Sequence, residues 1–302
     1  MDLKSKIILI YGPTASGKSR FAVNLAKKIN GEVVNADSMQ VYKELKILSA
    51  RPRQKEYQKI RHHLYGFQNV KKNFSTGHWL KLVNKTIYDI KKRKKVPILV
   101  GGTGLYFKAL TEGLVKIPNI PIKSRNKIRS LHKKIGSKKF FIRLIKLDPL
   151  VKKHLNPLDT QRVIRAYEIK SFTKKSIYEW IKNTKSTYEQ GDFYKIYIDF
   201  PRSKLIEQIN IRTKEMIDQG AISEVKRFIK LKVPKKKTAS KAIGICETIK
   251  FLNKKIQISE LIEKISIKTR QYAKRQSTWG RGHMSDWNKI ESNSLNQFLK
   301  KV

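Results

Sequence analysis

Eight residues near the start of the chain, Gly12-Pro13-Thr14-Ala15-Ser16-Gly17-Lys18-Ser19, constrain the fold more than any other stretch. They fit G-x-x-x-x-G-K-[ST], which has meaning only between the end of a strand and the start of a helix. Both flanks supply that context. Residues 6–11 carry Ile7, Ile8, Leu9 and Ile10, the continuous apolar run of a strand buried on both faces. Residues 18–29 place Phe21, Ala22, Leu25 and Ala26 at helical spacing. In that setting the glycines let backbone N–H groups close around phosphate oxygens, and the helix N-terminus adds partial positive charge. All eight residues are therefore expected to cradle phosphate. Lys18 supplies a point charge, and the Ser19 hydroxyl suits a magnesium ion.

The rest of the chain extends the pattern. Residues 32–35 read as a second strand, 79–92 as a helix and 96–100 as a third strand closed by Gly101-Gly102. Strands alternating with helices imply a parallel sheet. Near Pro118 and Pro121 the character changes, and residues 123–191 read as helical, polar and basic. Strand character returns at 196–200. Helices follow over 204–218 and 222–231, broken at Gly220, and a long one over 259–279. The last 20 residues carry little pattern. The expected fold class is α/β: a P-loop NTPase-like parallel sheet core, residues 1–119 and 194–302, flanked by helices, with a helical insertion domain over 120–193.

Composition narrows the setting. Lys and Arg number 68 against 23 Asp and Glu, a formal net charge of +45. The excess is spread evenly, and Lys outnumbers Arg 52 to 16. A polyanionic partner and a lysine-rich compositional background both account for it. No apolar stretch approaches a membrane span, and the first strand leads into a glycine-rich motif, not a cleavage site. One cysteine, Cys246, excludes an internal disulfide and a cysteine zinc site. It reads as a buried apolar residue. The adjacent His62 and His63 read as structural. A cytoplasmic protein, expected to be monomeric, fits these features.

The chemistry rests on what stands at the strand ends. Many P-loop hydrolases hold magnesium with an acid after a second strand. Here that strand runs into Gly101-Gly102-Thr103-Gly104, without a carboxylate. The nearest acid after a strand is Asp37, in Asn35-Ala36-Asp37-Ser38-Met39-Gln40. At the carboxyl edge of a parallel sheet it can act as a general base, bind magnesium, or simply cap a helix. Thr103 is expected at the same edge. Arg162 and Arg165 lie three apart, either as a solvated face or as an anion contact. The segment Thr269-Arg270-Gln271-Tyr272-Ala273-Lys274-Arg275-Gln276-Ser277-Thr278-Trp279 mixes cations, amides and aromatics on one helix. Phosphates and unstacked bases call for that mixture, and a charged amphipathic helix also produces it.

Five blocks in order make the chain resemble the tRNA dimethylallyltransferases, the IPP transferase family. They are GPTASGKS at 12–19, NADSMQVYK at 35–43, VGGTGLYFKAL at 100–110, NPLDTQRVIRAYE at 156–168 and TRQYAKRQSTW at 269–279. The resemblance implies transfer of the dimethylallyl group from dimethylallyl diphosphate to the exocyclic amine of the adenosine 3′ of the anticodon, with Mg²⁺ and release of diphosphate. It implies that Asp37 is the general base, that Thr103 hydrogen-bonds near the reacting groups, and that Lys18 serves the leaving diphosphate. It also implies that Asp37, Ser38, Met39, Gln40, Thr103, Arg125, Gln161, Arg162, Val163, Ile164 and Arg165 touch the tRNA anticodon stem-loop. Arg270, Lys274 and Arg275 match a further contact region, and the insertion clasps the tRNA.

Two departures stand out. Lys241 replaces an arginine of an Arg-x-x-Gly-Tyr block, keeping charge near the diphosphate and losing the bidentate fork. Ile245 replaces the tyrosine of that block, and Leu48-Ser49-Ala50-Arg51-Pro52 differs from the usual Gly-Thr-Ala-Lys-Pro. The P-loop alone leaves two other readings open: a small-molecule or nucleotide kinase, and an RNA-binding module that has lost catalysis. A slot for the prenyl tail is expected, with no residues assigned to it.

Overall fold

The structure, a computed structural model, describes residues 3–302. Six parallel strands form its sheet: β1 (Ile7–Tyr11), β2 (Gly31–Asn35), β3 (His62–His63), β4 (Val96–Gly101), β5 (Phe193–Asp199) and β6 (Asn288–Glu291). Their spatial order is β3-β2-β4-β1-β5-β6. Every residue of β1, β2 and β4 is buried, as parallel strands covered on both faces require. Alternate residues of β1 serve opposite cores. Ile8 and Ile10 pack with α1 (Lys18–Ile29), through Phe21 and Leu25. Ile7, Leu9 and Tyr11 pack with Trp79, Val83 and Ile87 of α2 (Thr76–Lys92) and Phe107 of α3 (Gly104–Thr111).

The chain divides into two compact units, one formed by residues up to 111 together with 188–302, the other by 112–187. The expected insertion ran from 120 to 193. The structure divides at 112 and 188 instead, where Tyr188 already packs against the sheet core beside Phe193. The second unit contains α4 (Ile122–Leu147), interrupted at Gly136, with α5 (Thr160–Thr173) and α6 (Ile177–Lys182). Phe140, Leu144, Val151, Val163 and Ala166 form its core.

The first unit is completed by α7 (Arg202–Asp218), α8 (Ala221–Lys230), α9 (Ile245–Leu252), α10 (Ile258–His283) and α11 (Leu295–Lys301). Helices α8 and α9 share a core with Val41, Tyr42, Leu45 and Leu48 of the segment after β2. The sequence pattern did not reveal α9, β6 or α11. Cys246, expected to be buried, is exposed on α9. It lies beside Glu247, whose carboxylate faces inward to accept the Gly244 amide at 3.0 Å.

Candidate active site

A cleft of about 600 Å³ opens where β1 and β2 end. Thr14 to Ser19 line it, with Asp37 to Gln40, Lys241 and Arg275. Gly12 and Pro13 are buried beneath the loop. Gly17 caps α1 with φ +76°, a left-handed conformation that costs a side-chain-bearing residue energy and glycine almost none. That turn sets the first amides of α1 toward the cleft. Ser16 Oγ is buried within the loop without a hydrogen-bond partner.

Lys18 Nζ donates to the Pro13 carbonyl at 2.9 Å. Burial pulls the Lys18 ammonium down to about 8; Arg212 pushes the same way, and Asp37 opposes them. Lys18 is therefore a partly desolvated cation lining the cleft, poised to gain from an incoming anion.

Asp37 is anchored by one oxygen. Its Oδ1 accepts the Met39 amide at 2.8 Å and the Gln40 amide at 3.4 Å. The Asn35 side chain grips the Asp37 backbone from both sides, at 2.9 and 3.0 Å. Asp37 thus caps a turn and not the helix the sequence allowed for, and among the described residues its Oδ2 has no hydrogen-bond partner. Thr103 meets the same turn. Its Oγ1 accepts the Ser38 amide at 3.0 Å and donates to Ser38 Oγ at 3.3 Å. A carboxylate with one oxygen fixed and one open, beside a phosphate loop, can take a proton from a group reacting with a phosphorylated ligand.

Three residues that sequence reasoning missed complete the cleft. Arg212 on α7 donates to Thr14 Oγ1 at 3.2 Å and to the Ala50 carbonyl at 3.5 Å. Burial lowers its pKa while Asp37 pulls it back up. Gln276 on α10 joins both glycine-bearing loops. Its Oε1 accepts the Thr14 amide at 2.8 Å, and its Nε2 donates to Gly102 O at 2.9 Å. Tyr272, one turn earlier, hydrogen-bonds Thr103, and burial raises its phenol pKa. The available signal was a polar residue on an otherwise apolar helix face: Arg212 between Ile209 and Met216, and Gln276 between Ala273 and Gly280.

The expected RNA contacts fall in both units. Of those on α10, Lys274 and Arg275 are exposed and Arg270 is half-buried. In the second unit Gln161 is exposed, and Arg162 pairs with Asp159 at 3.2 Å. Val163 differs from these exposed neighbours. It is 1% exposed in the core of that unit, so its side chain shapes α5 and is not offered to a ligand. Ile164 packs against the same core.

Arg125 and Arg165 converge on one carboxylate that is itself only 1% exposed, Glu168, each at 3.2 Å. Arg129 joins them at 3.3 Å. One buried negative charge thus holds three half-exposed guanidiniums, leaving a surplus of positive charge facing water. Glu168→Gln should lower the unfolding free energy of the second unit by about 1–3 kcal/mol, as charge-assisted hydrogen bonds are lost. Thermal unfolding followed by circular dichroism checks this; an unchanged transition would remove Glu168 as the organiser.

The chain resembles known proteins along almost its whole length. A family model described as IPP transferase matches residues 40–283. A tRNA dimethylallyltransferase of Pelagibacter ubique (strain HTCC1062) is 58% identical over 302 residues, covering 100% of this chain and 96% of the relative. A full-length tRNA isopentenylpyrophosphate transferase crystal structure from Bacillus halodurans superposes with TM-score 0.71 at 30% identity, covering 98% of this chain and 95% of that one. A eukaryotic dimethylallyltransferase, described as acting on tRNA, superposes with TM-score 0.83 at 29% identity, covering 97% of this chain and 75% of that one. With a family model matched over residues 40–283 and relatives of one kind aligned along nearly the whole chain, the chain belongs to the IPP transferase family.

Proposed function

We propose that this chain transfers the dimethylallyl group from dimethylallyl diphosphate to the exocyclic amine of the adenosine 3′ of the anticodon in tRNA. The observation that carries the reading is the open Oδ2 of Asp37 beside a phosphate loop whose partner strand, β4, ends without an acid. An adenine amine is a weak nucleophile, because its lone pair is delocalised into the ring. A carboxylate that takes its proton as the nitrogen–carbon bond forms meets that need. Asp37 has the free oxygen for it, and the hydrogen bonds at Oδ1 fix its direction. Thr103, held against Ser38, steadies the other side of the turn.

The departing diphosphate needs its charge neutralised as the carbon–oxygen bond breaks. Lys18, the loop amides and Arg212 are the cations and donors closest to that task. Arg212 supplies a planar fork, so the bidentate role that Lys241 cannot fill does not fall to the lysine. Lys241 lies exposed at the rim. The oxygen donors here suit a hard cation such as Mg²⁺, which takes few protein oxygens and completes its shell with phosphate and water. Ser19 would hold it, and it would spread the charge of the leaving diphosphate.

The adenine must leave its stack to reach the cleft, at less expense in a loop than in a duplex. The surplus positive charge around Glu168 and the cations of α10 suit phosphate contacts that position an RNA. The kinase reading is set aside: the relatives transfer a prenyl group to tRNA.

The test is direct. The protein is incubated with Mg²⁺, unmodified tRNA and labelled dimethylallyl diphosphate, with ATP as control. Label in the RNA is expected. Phosphate moving from ATP to a small molecule, with no labelled RNA, would overturn the assignment.

A further inference from the structure

The two loops that carry the chemistry, the phosphate loop after β1 and the turn after β4, meet with no side chain of their own between them. A Cβ on Gly102 would lie 3.2 Å from Gly12 O and would run into the Gln276 amide nitrogen. Glycine at 102 therefore leaves the gap through which one side chain reaches both loops. Gln276 fills it, taking the Thr14 amide on its oxygen and giving its nitrogen to Gly102 O. At 4% exposure it offers no face to an RNA.

The junction extends to both sides of the proposed base. Tyr272, one turn earlier, shares side-chain hydrogen bonds with Gln276 and Thr103. The Thr103 amide donates to Ala36 O at 3.3 Å, and Thr103 Oγ1 accepts the Ser38 amide at 3.0 Å. The residues before and after Asp37 thus hang from the turn that Gln276 holds. Beneath, Tyr11 Oη of β1 donates to the Gln276 carbonyl at 2.7 Å and pins α10 to the sheet. Thr14 keeps a second tie, because its hydroxyl accepts from Arg212 at 3.2 Å.

We propose that Gln276 is a positioning residue for prenyl transfer, setting the register between the loop that holds the diphosphate and the turn that carries Asp37. This rests on the reading of the chain as a prenyltransferase with Asp37 as base. In that step the amine lone pair forms the nitrogen–carbon bond, the carbon–oxygen pair leaves with diphosphate, and Asp37 takes the amine proton. The leaving group sits on one loop and the proton acceptor on the other, so the step needs both at one spacing. Gln276 hydrogen-bonds neither Lys18 nor Asp37 and acts through the loops that bear them. A displacement of about 1 Å is enough to slow such a reaction ~10²-fold.

Gln276→Met keeps the side-chain length and loses both hydrogen bonds. With enzyme and donor in excess over tRNA, its single-turnover rate should fall ~10–10²-fold. Inhibition by inorganic diphosphate and tRNA affinity by filter binding should stay near wild type. The decisive measurement repeats the substitution in Asp37→Asn. There Gln276→Met should change the rate by no more than about 2-fold, because the base whose placement it secures is gone. Losses that multiply would overturn the positioning role. So would a wild-type rate in Gln276→Met, or a loss accounted for wholly by weaker diphosphate binding. Gln276→Asn, one methylene short of spanning both loops, reads the same cycle if the methionine variant does not fold. A wild type that labels no RNA would instead remove prenyl transfer itself.

Discussion

Asp37→Ala should lower the rate of prenyl transfer by about 10²–10⁴-fold while tRNA binding is largely kept, the range expected when a positioned general base is removed. The structure makes the outcome informative, because Asp37 also caps its own turn. Loss of the Oδ1 bonds to Met39 and Gln40 disturbs local geometry, and a structural effect alone would follow from that. Asp37→Asn separates the two. The amide oxygen can still accept from the Met39 amide, so the turn survives, while the proton acceptor is gone. Both variants should therefore be slow, with the asparagine variant as stable as the wild type. Single-turnover rates with enzyme and donor in excess over tRNA give the chemical step, and filter binding gives tRNA affinity. Turnover of Asp37→Asn near the wild-type rate would remove Asp37 as the base.

Lys18→Ala should cost about 10²–10³-fold in kcat, the usual effect of deleting one donor that stabilises developing negative charge. The lysine also imposes a pH dependence with two opposite signs. Its pKa in the folded protein is about 8, against 10.5 for a free lysine. Above pH 8 the free enzyme loses this charge, so KM for dimethylallyl diphosphate should rise. Between about 8 and 10.5 the unfolded chain binds more protons at this site than the folded one does, so the site's contribution to stability rises with pH. Donor affinity should weaken while the ligand-free protein becomes harder to unfold. A donor KM flat from pH 7 to 9.5 would count against Lys18 as the diphosphate cation. In Lys18→Ala both trends should flatten together.

Legibility in the sequence followed the range of each signal. The motif at 12–19, β1 and α1 are local: an apolar run, a glycine turn and an amphipathic helix stand within two dozen residues. Asp37 and Thr103 were found because each stands just beyond a buried strand. β6 gave no such sign, since only Ile290 of its four residues is buried and an edge strand needs little apolar pattern. α9 is eight residues long and starts at a left-handed glycine. A motif carries its whole block forward, Val163 with it, whereas helical periodicity turns that one side chain inward. Arg212 and Gln276 escaped for the opposite reason. Each is a single polar residue on a helix, and its meaning lies in Thr14, 198 and 262 positions away.

That last separation sets the order in which a ribosome could deliver a working enzyme. Residue 14 leaves the exit tunnel long before residue 276 is made, so the phosphate loop emerges without the amide that clasps it to the Gly102 turn. The nascent sheet can gather β1, β2 and β4 while α10 is still unsynthesised. Its cleft acquires Tyr272 and Arg275, and the Gln276 amide that ties its loops together, only near the end of translation. A chain stalled or cleaved before α10 would carry the recognisable phosphate loop without a closed site around it.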